Sequence, residues 1–118
     1  MILLSLGHGY SAAALARLLL PRGWRVIGTA RSADRVAAIA ATGVEARAWP
    51  GSDLRDAFAQ ATHLLTSVAP DADGDPVLRA LGPLVAEAAP RLAWAGYLST
   101  TGVYGDRGGG WVDEDSPL

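Results

Sequence analysis

Short apolar runs alternate with alanine-rich helical stretches along nearly the whole chain, and this alternation narrows the possible folds more than any other feature. Residues 1–6 are apolar apart from Ser5. That run is too short for a helix and suits a strand buried on both faces. A helix is predicted over 12–20, with Leu15, Leu18 and Leu19 on one stripe, stopped by Pro21 and Gly23. A second strand follows over 24–30. Ser32 is placed to cap a helix over 33–41 that Gly43 closes. A third strand reads over 44–49, and Ser52 with Asp53 opens a short helical turn through Phe58 to Ala61. The fourth strand spans 62–69, with Leu64, Leu65 and Val68 as its apolar members. After a loop over 70–75, Asp75 stands as an N-cap and Pro76 at the first helical position, where a missing N–H costs nothing. That helix runs to 89, with Val77, Leu78, Leu81, Leu84 and Val85 as its buried face. Pro83 inside it predicts a kink or an early break. A fifth strand reads over 92–98. From Ser99 onward, glycines with Asp106, Asp113, Glu114 and Asp115 predict a mobile polar tail.

Strand–helix alternation of this kind means βαβ units around a parallel sheet. The simplest arrangement is an α/β, doubly wound sheet of five strands in the order 3-2-1-4-5, with helices on both faces. Ligands of such sheets sit at the carboxyl ends of the strands, at the switch between strands 1 and 4. The rule selects three loops, 7–11, 31–34 and 69–75.

Composition removes several alternatives. With 118 residues, half of them apolar, the chain is one domain able to build a core. The sheet and helices fill 1–98, and 99–118 form a loop on the substrate side. There is no cysteine, so there is no disulfide framework and no thiolate metal site. A net charge of -2 argues against a nucleic-acid partner. Every basic residue is arginine, which excludes a P-loop lysine or a Schiff base. Arginine for lysine in an alanine-rich chain fits a GC-rich bacterial gene. No apolar run approaches the roughly 18–20 residues of a membrane span, and no signal peptide is visible. Together with the lack of cysteine this fits the cytoplasm.

Two segments carry chemistry. Gly7-His8-Gly9-Tyr10-Ser11-Ala12 is a G-x-G-x-x-A that follows a predicted strand and opens a predicted helix, the context in which the motif binds a dinucleotide. Gly7 allows the tight turn, Gly9 lets the backbone approach a pyrophosphate, and Ala12 lets the helix pack on strand 1. The helix N-terminus offers N–H groups and a positive dipole end to the phosphates. Gly7, Gly9 and Ser11 are therefore the candidate pyrophosphate site, with His8 and Tyr10 beside it. His8 is expected to be an exposed loop residue near the phosphates. The end of strand 2 reads Thr29-Ala30-Arg31-Ser32, without the carboxylate that holds the ribose 2′-OH of NAD. Arg31 can instead pair with a 2′-phosphate and Ser32 can add a hydrogen bond, so NADP(H) is preferred over NAD(H). The second segment, Ser99-Thr100-Thr101-Gly102-Val103-Tyr104-Gly105-Asp106, puts hydroxyls at the end of strand 5.

On these two segments the chain resembles the N-terminal, cofactor-binding part of extended and atypical short-chain dehydrogenase/reductases, the NAD-dependent epimerase/dehydratase group. The resemblance covers essentially the whole chain. It implies a Rossmann-like fold and hydride transfer at a carbinol carbon of a small-molecule substrate. It makes Thr100 the substrate-orienting hydroxyl, with Ser99 and Tyr104 supporting, and sets Ala69 and Pro70 of Ser67-Val68-Ala69-Pro70 against the cofactor ribose. Two departures stand out. Leu6 and Ala12 occupy positions where extended members carry glycine, and no Tyr-x-x-x-Lys is present in a chain without lysine. The expectation is the cofactor-binding half of a longer enzyme, inactive alone, since loss of the acid/base typically costs about 10²–10⁴-fold. The family often pairs through helices, which leaves a homodimer open. The alternative is a stand-alone nucleotide-sensing module. Such modules normally carry the acidic residue that is missing after strand 2, and they have no use for Ser99 and Thr100 beside Tyr104.

Other features read more simply. Asp71, Asp73 and Asp75 resemble the start of a calcium loop, but Pro76 and Gly82 stand where that loop needs glycine and a bidentate carboxylate. His8 and His63 have no carboxylates at ligand spacing, so no metal is expected. Trp24, Trp49 and Trp94 read as core or near-core residues.

Overall fold

The computed structural model describes residues 1–98, Gly110 and Asp115. It holds β1 (Ile2–Leu6), α1 (Tyr10–Leu19), β2 (Arg25–Ala30), α2 (Ala33–Ala40), β3 (Glu45–Ala48), α3 (Arg55–Gln60), β4 (His63–Thr66), α4 (Pro76–Ala88) and β5 (Trp94–Tyr97). The strands form one parallel sheet in the order β3-β2-β1-β4-β5, as the alternation predicts. Ser99, Thr100 and Tyr104 lie outside the described residues.

The pleat of β1 assigns the two faces. Leu4 and Leu6 join Ile27, Leu64, Phe58, Val77 and Leu81 under α3 and α4. Leu3 joins Val26, Leu65, Ala12, Ala16 and Ile39 under α1 and α2. Because helices cover both faces of the central strands, β1 is apolar almost throughout instead of alternating. The register sets Ser5 opposite Gly28 on the α1/α2 face, next to the Leu3 and Val26 pair.

Several expectations change in detail. α1 begins at Tyr10, and Pro21 with Gly23 ends it through a short 3₁₀ turn, Gly23 taking φ +85°. Leu18 is 65% exposed because the buried stripe of α1 runs through Ala12 and Ala16, flanked by Leu15 and Leu19. α4 continues through Pro83 without a break. Pro83 and Arg79 are both exposed, so water can meet the carbonyl that the proline leaves unbonded. Leu78 is 58% exposed on the flank of the Val77–Leu81–Ala88 stripe. Trp94, expected in or near the core, is 48% exposed on the outermost strand. Its face of β5 is the α1/α2 face, yet α1 packs on β2, and α2 on β2 and β3. Trp24 and Trp49 are partly buried against the two cores.

Candidate functional site

The turn between β1 and α1 is held by three contacts. Gly7 has φ +75°, and a Cβ there would lie 2.9 Å from Val68 Cγ2 and 3.2 Å from the Val68 nitrogen. Glycine is required at this position by both conformation and space. The Gly7 N–H donates to Thr29 Oγ1 and the His8 N–H to the Thr29 carbonyl, each at 2.9 Å. Gly9 is a different case. Its φ of -98° and ψ of -155° suit any residue, and a Cβ there would meet nothing nearer than the Gly7 carbonyl at 3.8 Å. The described residues leave the space over Gly9 open.

Gly9 is also the N-cap of α1, with no side-chain cap bond and no acidic residue in the first turn. The first intrahelical bond runs from Ala13 N–H to the Gly9 carbonyl, so the N–H groups of Tyr10, Ser11 and Ala12 have no partner among the described residues. The other long helices are finished differently. Ser32 Oγ accepts from the Arg35 N–H, and Asp75 Oδ1 accepts from the Val77 and Leu78 N–H groups.

Two cavities meet over this turn and share Gly7, Gly9 and Ala69. One, of about 470 Å³, extends toward the β2–α2 corner and is lined by Thr29, Arg31, Ser32, Arg35, Trp49 and Val68. The other, of about 390 Å³, extends toward β5 and is lined by Tyr10, Ser11, Ser67, Pro70, Tyr97 and Leu98. The structure thus brings together Gly7, Gly9, Tyr10, Ser11, Arg31, Ser32, Ala69 and Pro70, all predicted from the sequence. It adds Thr29, Arg35 and Trp49, which sequence reasoning missed, and Ser67, which the resemblance places only as part of the Ser67-Val68-Ala69-Pro70 segment. Arg35 had a signal, since it stands four residues after Arg31 across a predicted helix cap. Ser67 had that segment as its signal, and the structure adds that its Oγ is buried without a partner among the described residues while the residue lines the second cavity.

The charge at the β2–α2 corner is positive. Arg25, Arg47, Arg55 and Arg79 are each tied to a carboxylate at 2.6–2.8 Å. Among the described residues, Arg31 and Arg35 have no such partner and no carboxylate lines their cavity. The nearest coupling runs outward, where Arg79 first and Arg31 further off hold Asp71 down at about 2.

His8 corrects the sequence reading. It is 3% exposed, not a free loop residue. Its Nδ1 shares a 2.9 Å hydrogen bond with Ser5 Oγ, and its ring lies against Gly28. Burial first, and the Arg35 charge second, push its pKa below the ordinary imidazole range. Among the described residues there is no cluster of three potential metal ligands, and no helix is long and apolar enough to cross a membrane.

No protein-family model matches the chain, and none of the curated proteins does. Among solved structures, it is similar to a functionally unknown conserved protein from Silicibacter pomeroyi, with 55% identity and a TM-score of 0.89. That match covers 99% of this chain but 42% of the other, so the chain spans less than half of that relative. A reductase engineered to attenuate substrate inhibition in asymmetric catalysis matches 88% of this chain and 38% of its own, at 16% identity and TM-score 0.62. The fold is Rossmann-like. An arogenate dehydrogenase from Synechocystis matches 84% of this chain and 33% of its own, at 22% identity and TM-score 0.53. At such identities these two matches speak for the Rossmann-like fold alone.

Proposed function

We propose that this chain is the dinucleotide-binding part of a nicotinamide-dependent oxidoreductase, and that it prefers NADP(H) to NAD(H). The observation that carries the reading is the glycine turn: an uncapped helix N-terminus facing open space, where two cavities join. A pyrophosphate fits there by charge and by shape, since Gly9 leaves room and the first-turn N–H groups are free to donate. Arg31 and Arg35, without an ion-pair partner among the described residues and beside Ser32, suit a 2′-phosphate at the adenosine end. Trp49 offers an apolar wall to the adenine. Ser67, Ala69 and Pro70 line the other arm, and the buried Ser67 hydroxyl is free to bond a ribose hydroxyl. The bound cofactor would supply hydride donation or acceptance; the residues described here orient it and neutralise its charge.

Within this class the reading extends to the short-chain dehydrogenase/reductase or epimerase/dehydratase type. Its support is the Ser99-Thr100-Thr101-Gly102-Val103-Tyr104 segment, in which Thr100 would orient the substrate oxygen. The reductase and dehydrogenase among the similar structures are in keeping with an oxidoreductase. Calorimetric titration with NADPH and NADH tests the proposal. Micromolar NADPH with NADH at least tenfold weaker, a difference of about 1.4 kcal/mol, is the expected result. Equal affinities remove the arginines from the site, and binding of neither cofactor overturns the reading.

A further inference from the structure

We infer that His8 is a positioning residue whose neutral ring latches the Gly7–Gly9 turn onto the sheet in its ligand-ready shape. The inference rests on the reading of that turn as the phosphate site, and it concerns a side chain which that reading does not use.

The slot for the ring is specific. Ser5 of β1 and Gly28 of β2 are register partners on the α1/α2 face. Because residue 28 lacks a side chain, the imidazole can lie flat on β2: a Cβ there would be 2.9 Å from His8 Cγ and 3.1 Å from Nδ1. Ser5, wholly buried, bonds the ring through Nδ1 at 2.9 Å. The His8 backbone N–H is fixed to the Thr29 carbonyl at the same time. Ring and backbone together leave residue 8 little freedom, although glycines flank it on both sides and would otherwise make the turn loose.

The slot offers a charged ring no counter-charge among the described residues. From β1 the ring faces Ser5, and from β2 Gly28 and Thr29, none of which titrates. The β4–α4 loop contributes Val68 and Ala69 to the same cavity, and the β2–α2 corner contributes Arg31 and Arg35. Among the described residues, the charges that line this cavity are positive. Protonation would put a charge in a slot without a counter-charge, so the latch predicts that an imidazolium leaves for water and that the turn moves with it.

The test uses ¹⁵N-labelled protein without ligand, titrated from pH 8 to pH 5, with His63→Gln assigning the two imidazoles. The Gly7 and Gly9 amide resonances are expected to move in step with His8 ionisation. In His8→Asn, which keeps a hydrogen-bonding group near the Nδ1 position but does not ionise, they are expected to stay in place. ADP-ribose, whose pyrophosphate charge is constant over this range, is the binding probe. Its Kd is expected to rise about tenfold per pH unit below the His8 midpoint in the native chain and to stay flat in His8→Asn. Gly9 resonances indifferent to His8 ionisation, or a His8→Asn chain that loses ADP-ribose on acidification as the native one does, overturn the latch. If His8→Asn does not fold, Ser5→Ala takes its place. That variant is expected to shift the Gly9 resonance and weaken ADP-ribose at pH 8, and native behaviour in both overturns the latch. A Gly9 amide that follows His8 while ADP-ribose fails to bind at pH 8 upholds the latch and refutes the nucleotide reading instead.

Discussion

Helices α1 and α4 start at the same edge of the sheet and are finished in opposite ways. α4 opens with Asp75, whose carboxylate takes up two backbone N–H groups, and with Pro76, which has none to satisfy. α1 opens on Gly9, with no cap and no carboxylate in its first turn. A cap is worth about 1 kcal/mol, and α1 goes without it. The contrast separates an end completed by its own side chains from an end left uncapped, the one the proposed function assigns to a phosphate. The two glycines of the turn differ in the same way: Gly7 is required by the fold, whereas nothing in the fold of the described residues requires Gly9, and the proposed function gives it a role.

That comparison can be broken at several points. The largest effect is expected at Gly7→Ala. A positive φ and an overlap with Val68 at 2.9 Å together should cost about 2–4 kcal/mol, read as a lowered Tm and denaturation midpoint. A Gly7→Ala chain as stable as the native one contradicts the geometry of the turn. Gly9→Ser is more discriminating. Serine is a preferred cap, and its side chain meets open space, so stability should hold or rise by a few tenths of a kcal/mol. NADPH affinity should nevertheless fall at least tenfold, because the hydroxyl takes up helix N–H groups and fills the cradle. If Gly9→Ser binds NADPH normally, the open end is not a phosphate site.

Smaller effects sharpen the picture. Arg31→Ala and Arg35→Ala should each weaken NADPH by about tenfold, leave NADH unchanged and leave Tm unchanged, since neither side chain is ion-paired among the described residues. Loss of both cofactors in equal measure would turn the arginines into general phosphate contacts. Asp75→Ala should cost about 1 kcal/mol in chemical denaturation with no change in cofactor affinity. Acidity gives one more prediction. The His8 pKa is lowered in the folded chain, so between the ordinary imidazole value and the folded value the unfolded chain binds more protons. Stability should therefore fall as pH drops below about 6.5, and this part of the fall should be absent in His8→Asn.

Much of this molecule is legible in its sequence because the signals are local. Alternating apolar runs and helical stretches specify a parallel sheet, since a strand buried on both faces needs a continuous apolar run and a crossover helix needs a stripe. Ser32 and Asp75 announce helix starts because a cap acts within three residues. Gly7 and Gly9 announce the turn because their spacing is set by the chain itself. Arg31 was readable for the same reason, standing directly after β2.

The tertiary structure decided what depends on residues far apart in the chain. His8 looks like a free loop residue until Gly28, twenty positions on, provides the space for its ring. Trp94 looks like core until the sheet order leaves it on the outermost strand, beyond the helices of that face. Trp49 joins Arg31 and Arg35 because the chain leaving β3 meets the β2–α2 corner and the turns after β1 and β4 at the carboxyl ends of the strands. Sequence periodicity determines which residues must leave water, and close packing between elements alone determines which of them meet over one turn.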